Sequence, residues 1–183
     1  QSEPVGPLHG VPVTVKENID LFGTPTTSGI PAGVELMPAA DAPVVKRLKD
    51  AGAIPIGRTN LPELGLRIDT DNPLRGRTLN PWDQTRTAGG SSGGEASAIA
   101  SGMSPLGLGN DIGGSVRNPA FCCGISSLKP SAGRIPRAST IAPVERGFAD
   151  QWMAVDGPMA RRVEDLRVAY EVLSGREILD PMT

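Results

Sequence analysis

The first regular pattern in the chain is an alternation of apolar and polar residues close to its beginning. Val11, Val13 and Val15 are separated by single residues, and a period of two is typical of a strand with one buried face. Lys16 stands at the end of this predicted strand, where loops gather and functional sites form. The pattern therefore predicts a strand that carries a lysine to a candidate site.

A helix is predicted to follow at residues 42–51. Asp41 is a suitable N-cap, Pro43 stands in the first turn and Gly52 supplies the C-terminal stop. Residues 53–57 then form a short apolar run that we expect to be a buried strand. Strand, helix and strand in this order are the signature of a sheet with parallel strands.

The remaining segments continue this alternation of helices, strands and turns. Asn60 is predicted to cap a short helix that runs through Leu66, and a polar surface loop anchored by Trp82 is predicted at 67–87. A helix is predicted at 95–102 and a strand at 105–109. An amphipathic helix is predicted at 161–173, with these residues on one face: Val163, Leu166, Ala169, Tyr170 and Leu173.

Composition limits the functional classes that this chain can serve. Its 183 residues are enough for one domain, and its net charge of -2 argues against a dedicated nucleic-acid surface. The sequence has no apolar run long enough to span a membrane and no signal-peptide pattern. We therefore expect a cytoplasmic globular protein without membrane partners.

The two cysteines, Cys122 and Cys123, are adjacent. A disulfide between neighbours is strained, and a metal site would need further ligands at suitable spacing. We expect buried thiols that pack as small hydrophobic side chains in a reducing compartment. No metal and no organic cofactor is predicted.

Candidate chemistry concentrates in residues 89–117, where glycines flank Ser91 and Ser115. Glycine permits backbone conformations that other residues avoid, and it leaves amide N–H groups bare enough to bind a ligand oxygen. Phosphate binding is the weaker interpretation, since the chain lacks the Gly-Lys-Ser/Thr ending of a P-loop and a convincing strand before its glycines. Acyl transfer by a serine is favoured, and it needs a base.

The choice of base separates several enzyme classes. His9 is the single histidine, and a Ser-His-Asp enzyme would have to use it. Ser92 stands at the centre of a G-x-S-x-G match, but no histidine follows it. Lys129 ends a match to S-x-x-K that lacks the K-T-G element of that class, so the end of a buried strand is its favoured role. His9 is favoured as a turn or surface residue, which leaves Lys16.

The residues around Lys16, Ser91 and Ser115 together resemble the amidase signature family. Lys16 lies in V-K-E-N, Ser91 in G-G-S-S-G-G and Ser115 in D-I-G-G-S-V-R, and the similarity extends over nearly the whole chain. The resemblance implies a Ser-Ser-Lys triad in which Ser115 is the nucleophile, Lys16 is the base and Ser91 passes the proton between them. It also implies a cis peptide bond between Gly90 and Ser91. We expect an α/β domain whose mixed β-sheet is covered by helices on both faces.

The chemistry of such a triad sets requirements on each group. A free lysine has a pKa of about 10.4 and is a poor base at neutral pH, so Lys16 must be partly desolvated. A hydroxyl can donate and accept at once, which suits Ser91 to relay a proton. Further expectations are a hydrogen bond between Ser92 and Lys16, an ion pair between Asp111 and Arg117, and an oxyanion hole formed by the backbone amides of Ile112, Gly113, Gly114 and Ser115.

The function implied by the resemblance is hydrolysis of a small-molecule carboxylic amide through an acyl-enzyme, with esters and carbamates as further substrates. Two alternatives stay open: a glutaminase subunit of an amidotransferase complex, and an inactive structural fragment. Family members are considerably longer, so we expect residues 1–183 to be a single amidase signature domain fragment that lacks the C-terminal part. The rest of the same enzyme, or a second copy, would then be its partner.

Overall fold

A five-stranded mixed sheet runs through the described part of the computed structural model, which comprises residues 5–142 and 147–183. The strands are β1 (Pro12–Lys16), β2 (Ile54–Thr59), β3 (Leu106–Asp111), β4 (Ser126–Ser127) and β5 (Val155–Ala160). In the sheet they lie in the order β2, β1, β3, β5, β4. β1 is parallel to both of its neighbours, whereas β5 is antiparallel to β3 and β4.

Helices cover both faces of this sheet, which confirms the expected fold class. The α-helices are α1 (Pro43–Asp50), α2 (Gly93–Ala100), α3 (Arg117–Cys123), α4 (Phe148–Met153) and α5 (Val163–Leu173). α1 and α5 contact each other on one face, and α2 and α3 contact each other on the other. Within residues 5–142 and 147–183, none of the helices has the length and apolar character needed to cross a membrane.

The first face of the sheet carries the larger apolar core. Val13 and Val15 on β1 are fully buried, and they pack in one cluster with Leu48 of α1 and Leu173 of α5. Each Å² of apolar surface removed from water contributes about 25 cal/mol, so such a cluster is a main favourable term in folding. The alternation at residues 11–15 therefore marks the side chains that hold β1 in the sheet.

The second face of the sheet brings a helix close to a strand. β3 reads Leu-Gly-Leu-Gly from Leu106 onwards, and its leucines belong to the first core. A Cβ at Gly107 would lie 2.0 Å from Glu95 Oε2, and a Cβ at Gly109 would lie 2.8 Å from Ser92 Oγ. The two glycines thus make room for the start of α2, and this close approach positions the candidate site.

The predicted cap of α1 is wrong. The helix begins at Pro43 after Ala42, and no side chain caps it. The Asp41 carboxylate instead accepts hydrogen bonds from the Phe22 amide at 2.8 Å and from Lys49 Nζ at 2.7 Å. Because a loop amide and a lysine both reach this carboxylate, Asp41 ties the preceding loop to the helix rather than closing the helix end.

β2 forms an edge of the sheet and is not the buried strand that was predicted. It runs from Ile54 to Thr59, and the side chains of Ile54 and Ile56 are each 53% exposed. β1 pairs with one side of it, and no strand in the described residues pairs with the other. An apolar run indicates a strand in either position, so the pattern could not distinguish an edge from the centre.

Asn60 does not cap a helix either. The turn near it is a 3-10 helix at Glu63–Gly65, and no side chain caps that helix. Asn60 Nδ2 donates to Thr78 Oγ1 at 3.0 Å, and Asn60 Oδ1 accepts from Asn72 Nδ2 at 2.6 Å. An amide side chain has both donors and an acceptor, so it can bind two segments of a loop at once. Asn60 holds together in this way the segments around Asn72 and Thr78 of the polar loop beside β2.

Trp82 anchors the same polar loop, as predicted. Its indole Nε1–H donates to the Cys123 carbonyl at 2.7 Å, while much of the ring stays exposed.

Both cysteines are free thiols, with Cys123 buried and Cys122 half-buried. Burial raises the pKa of the Cys123 thiol to about 11. Cys123 therefore packs as a small hydrophobic residue, as expected.

The helices predicted at 95–102 and 161–173 are confirmed as α2 and α5. Along α5, Leu166 and Leu173 are buried as predicted, but Val163 is 65% exposed because it lies in the first turn, at the rim of the packed face.

Three elements had no sequence prediction. β5 reads V-D-G-P-M-A and is buried along its whole length, although glycine and proline inside a strand usually indicate an edge, a bulge or a turn. Pro158 stands opposite Leu108 of β3, and its carbonyl accepts from the Leu128 amide at 3.1 Å. The others, α3 and α4, are short helices among turn residues.

The buried strand predicted to end at Lys129 is present in a shorter form. It is the two-residue β4, which is only partly buried, and Lys129 lies beyond its end.

Candidate active site

Lys16 is the last residue of β1, and its side chain is completely buried. Its Nζ atom donates hydrogen bonds to Ser91 Oγ and to Asn110 Oδ1, each at 2.7 Å. Ser91 stands just before α2 and Asn110 lies at the end of β3, so three separate elements meet at the lysine. The structure therefore brings Lys16 and Ser91 into direct contact.

Burial changes the chemistry of Lys16. Its pKa is lowered from 10.5 to about 7, mainly because burial removes the solvation of the charged amine. The carboxylates of Asp156 and Glu95 have the opposite effect and raise the pKa, but they offset only part of this loss. Arg137 adds to the lowering and Asp111 opposes it. An amine with such a pKa is deprotonated in about half of the molecules at neutral pH, so its lone pair can accept a proton.

Ser91 is 1% exposed and follows Gly90 through a cis peptide bond, as the resemblance implied. The backbone of residues 67–69 covers Gly90 so closely that a Cβ there would lie 2.7 Å from the Arg67 carbonyl oxygen. Asn118 Nδ2 also donates to the Gly90 carbonyl at 3.2 Å. A loop and α3 therefore enclose Ser91 and hold its hydroxyl at the lysine.

Ser115 lies between β3 and α3 and is partly buried. Its carbonyl accepts a hydrogen bond from the Ser92 amide at 3.0 Å, which fixes this segment against the residue next to Ser91. Within residues 5–142 and 147–183, the Ser115 hydroxyl forms no hydrogen bond with Ser91 or Lys16. Lys16 and Ser91 are thus in direct contact, and Ser115 is held beside them through the backbone.

Asp111 shapes the loop that carries Ser115. Its carboxylate is buried and accepts from the amides of Gly114 at 2.8 Å and Val116 at 3.0 Å. The Arg117 guanidinium donates from Nη2 at 2.8 Å and from Nε at 3.1 Å, which confirms the expected ion pair. Burial by itself raises the pKa of Asp111, but these hydrogen bonds outweigh it and lower the pKa to about 2. The carboxylate is therefore ionised at neutral pH and keeps the loop in this shape.

The Gly114 amide is not available for the expected oxyanion hole, because it donates to Asp111. The amides of Ile112, Gly113 and Ser115 have no acceptor in the part of the chain that the structure describes. Ile112 is 44% exposed and Gly113 is also exposed, so a ligand oxygen can reach this turn. The turn therefore offers three of the four expected donors.

Ser92 is fully buried, and among the described residues no hydrogen bond joins its hydroxyl to Lys16, contrary to expectation. Its hydroxyl donates to the Asn110 carbonyl at 3.4 Å. Gly109 leaves the space that the Ser92 side chain occupies. Lys16 Nζ already has Ser91 and Asn110 as partners, and the Ser92 hydroxyl is turned towards β3 instead.

Asn110 is a site residue that sequence reasoning missed. Its Oδ1 accepts from Lys16 Nζ, while its Nδ2 donates to Asn18 Oδ1 at 2.9 Å. The second bond determines which end of the Asn110 amide faces the lysine. Asn110 stands immediately before the D-I-G-G-S motif, and this neighbourhood is a signal that could have revealed it.

Glu95 is a second residue that was missed. Ser92 and Glu95 fit the S-x-x-E capping box of a helix start, but no side chain caps α2. The Glu95 carboxylate turns into the sheet, where it is fully buried and accepts from Thr14 Oγ1 at 2.6 Å and Thr59 Oγ1 at 2.7 Å. Burial raises the pKa of Glu95 to about 7. The two hydrogen bonds lower this pKa, but their effect is smaller than that of burial. Lys16 therefore shares its side of the sheet with a second buried group that titrates near neutral pH.

His9 stands apart from these groups. It is exposed in the turn before β1, whereas Lys16 lies at the other end of that strand, and its backbone packs against Gly52. In the described residues its imidazole forms no hydrogen bond. This placement agrees with the favoured interpretation of His9 as a turn residue.

A cavity of about 460 Å³ opens beside the Lys16 network. Its wall includes Asn18, Asn110, Asp20, Arg137 and Asp150. Ser91 and Ser115 do not line it, so it adjoins the lysine side of the site and not the nucleophile side. Among the residues that the structure describes, no group of three or more His, Cys, Asp or Glu side chains is arranged to hold a metal ion.

Comparison with known sequences connects this site to a family. The family model described as Amidase matches residues 1–183. An indoleacetamide hydrolase from Bradyrhizobium diazoefficiens is 52% identical over 177 residues, which cover 97% of this chain and 34% of the relative. A glutamyl-tRNA(Gln) amidotransferase subunit from Methanococcoides burtonii is 42% identical over 180 residues, which cover 98% of this chain and 37% of the relative. The chain spans about a third of the length of these curated relatives.

Solved structures give the same result. The corresponding glutamyl-tRNA(Gln) amidotransferase subunit from Thermotoga maritima superposes with a TM-score of 0.88 at 36% identity, over 99% of this chain and 39% of that chain. Peptide amidase from Stenotrophomonas maltophilia superposes with a TM-score of 0.87 at 35% identity, over 97% of this chain and 36% of that chain. Because the family match extends over all 183 residues, the chain belongs to the Amidase family.

Proposed function

We propose that the protein hydrolyses carboxylic amides through an acyl-enzyme on Ser115. The observation that carries this proposal is the buried Lys16 Nζ, which lies 2.7 Å from Ser91 Oγ and has a pKa lowered to about 7. A base of this kind can accept a proton at neutral pH. Membership of the Amidase family supports the same reaction.

The proposed reaction has two halves. Ser115 Oγ bonds to the carbonyl carbon while its proton passes to Ser91 and the proton of Ser91 passes to Lys16. The free amides of Ile112, Gly113 and Ser115 are the candidate donors to the oxygen that becomes negative. Lys16 returns the proton through Ser91 to the amine nitrogen, the C–N bond breaks and the amine leaves. Water then attacks the ester while the same relay takes up its proton, and the acid departs as Ser115 regains a proton.

Asp111 and Arg117 have a supporting role in this proposal. The ionised Asp111 carboxylate binds the loop amides around Ser115, and Arg117 covers that carboxylate with a bidentate contact. A loop that is fixed before the reaction keeps its free amides aimed at the reacting oxygen. Ser92 contributes through its amide, which binds the Ser115 carbonyl.

Two substrate classes follow from the relatives. The relative at 52% identity is a hydrolase of indoleacetamide, which favours a small-molecule amide as the main substrate. The relative at 42% identity belongs to an amidotransferase, which favours glutaminase activity within a multi-protein complex as the second candidate. Ammonia release from indoleacetamide by the isolated protein supports the first. Glutamine turnover that appears only with a partner protein supports the second.

A fluorophosphonate probe tests the nucleophile. We expect the wild-type protein to be labelled on the peptide that contains Ser115, and the Ser115→Ala variant to lose the label. Ser101→Ala, at an exposed serine directly after α2, is the matched control and should be labelled like the wild type. Labelling that survives Ser115→Ala would refute the assignment, and the alternative of an inactive fragment predicts no labelled serine.

Three further expectations accompany this proposal. Residues 1–183 would form part of an amidase domain that additional chain completes. The remainder of the enzyme or a second copy would be the partner. The cytoplasmic location expected from the sequence also stays a prediction.

A further inference from the structure

Strands β1, β2 and β3 together form the buried pocket that holds the Glu95 carboxylate. β1 supplies the Thr14 hydroxyl at 2.6 Å, and β2 supplies the Thr59 hydroxyl at 2.7 Å. β3 supplies space, because a Cβ on Gly107 would lie 2.0 Å from Glu95 Oε2. A glutamate that only capped a helix would need none of these features, so the sheet is shaped to receive this carboxylate.

Burying a carboxylate is costly unless a positive charge compensates it. The two threonine hydroxyls supply hydrogen bonds but no charge. Thr14 and Lys16 are two positions apart on β1 and therefore project from the same face of the sheet, and Thr59 is the register partner of Lys16 on β2. The threonines thus hold the Glu95 carboxylate on the lysine side of the sheet, where it favours the charged form of Lys16.

Other charged groups also act on this pair. They are Arg58 on β2, Asp111 on β3, Asp156 on β5 and Arg137 in the loop after β4. Asp111 and Asp156 each have an arginine as ion-pair partner, and Arg58 donates to the carbonyls of Lys16 and Ile19. In the described residues, Glu95 is the carboxylate of this group that no lysine or arginine contacts in an ion pair. When ionised, Glu95 raises the pKa of Lys16 together with Asp156, which has the larger effect, and with Asp111.

We propose that Glu95 is a positioning residue that keeps Lys16 basic enough to accept the proton of the nucleophile. This inference rests on the proposed function. Complete burial alone would make the Lys16 amine a very weak base, and the ionised form of the Glu95 carboxylate, held on the same face of the sheet, offsets part of that loss. In the part of the chain that the structure describes, Glu95 accepts hydrogen bonds from the two threonines and from no member of the triad, so it acts on Lys16 through its charge.

The proposal predicts a specific change in pH dependence. Labelling of Ser115 requires the free amine of Lys16, so its rate rises with pH through the pKa of the lysine. Glu95→Gln removes a nearby negative charge, destabilises the ammonium form and moves this rise to lower pH by about one unit. The weaker base also lowers the rate at high pH by roughly 3- to 10-fold.

The experiment measures the rate of fluorophosphonate labelling from about pH 5 to about pH 10, a range that spans the lysine transition. Thr59→Val is the second variant, because it keeps the carboxylate but removes one of its donors. It favours the protonated carboxyl group of Glu95 and should move the rise in the same direction by a smaller amount. Glu171→Gln, at an exposed residue of α5 on the opposite face, should leave the profile unchanged.

The outcomes separate this inference from the proposed function. A shift to lower pH in both variants, larger for Glu95→Gln, supports the inference. A lower rate at high pH without a shift in either variant means that Glu95 is merely structural, and it overturns the inference alone. A wild-type protein that is not labelled on Ser115 overturns the proposed function, and the role of Glu95 falls with it.

Discussion

The two faces of β1 meet different physical demands. Val13 and Val15 pack into the core formed with α1 and α5, whereas Thr14 and Lys16 project towards α2. On the first face, removal of apolar surface from water supplies a driving force that is proportional to area and has no direction. On the second face, every buried polar group needs a specific partner at hydrogen-bond distance.

This difference teaches which substitutions the protein tolerates and what each one costs. A change in the apolar core should cost stability and leave the chemistry intact. A change among the linked polar groups should cost reactivity, because Lys16 shares its contacts with Ser91 and Asn110. Four variants separate the two faces, from the largest expected effect on the rate of Ser115 labelling to the smallest.

Lys16→Met should lower the labelling rate by about 10²- to 10⁴-fold, the usual contribution of a general base. Methionine is an uncharged chain of similar length, so we expect the thermal midpoint to stay within about 5 °C of the wild type. Lys129→Met is the matched control, because Lys129 belongs to the competing S-x-x-K match. A wild-type labelling rate in Lys16→Met would remove this lysine from the mechanism.

Asp111→Ala should lower the labelling rate by about 10²-fold, since the loop that carries Ser115 loses its buried acceptor and its amides lose their alignment. Arg117→Gln is the comparison. It should cost much less, because the amides of Gly114 and Val116 still bind Asp111. Equal losses in the two variants would mean that the ion pair, and not the amide contacts, fixes the loop.

Asn110→Ala should lower the labelling rate by up to about 10-fold, because the neutral Lys16 amine loses a hydrogen bond that orients it, and a bond between uncharged groups is worth about 0.5–1.5 kcal/mol. Asn18→Ala should have a smaller effect, since Asn110 Oδ1 still accepts from the lysine. A larger loss in Asn18→Ala than in Asn110→Ala would show that the order of this network has been misread.

Leu48→Ala should leave the labelling rate of the folded protein unchanged and lower the free energy of unfolding by about 2–5 kcal/mol. Leu48 packs with Val13 and Val15, and the side chains that react lie on the other face of β1. Urea denaturation measures the stability, and labelling well below the transition measures reactivity. A tenfold loss of labelling at full occupancy of the native state would contradict the separation of the two faces.

The apolar face could be predicted largely from the sequence, because the alternation along β1 and the periodicity of α1 are both local signals. Glycine-flanked motifs also indicated Ser91 and Ser115. Glu95 was missed because its S-x-x-E pattern has a complete local explanation as a capping box, while its actual partners lie on distant strands. Strand pairing over long sequence distances decides such contacts, and no local pattern records it. β5 was missed because its local pattern is misleading: the glycine and proline inside it are typical of a turn and not of a buried strand.

Centrally, Lys16 is a base that has lost its proton in about half of the molecules at neutral pH and that lies against Ser91. Titration of the lysine ε-carbon signals by NMR tests it most directly, with Lys16→Met used to assign the signal of Lys16. We expect an apparent pKa of about 7 for Lys16, well below the ordinary value of 10.5. A Lys16 signal that titrates near 10.5 would contradict the claim.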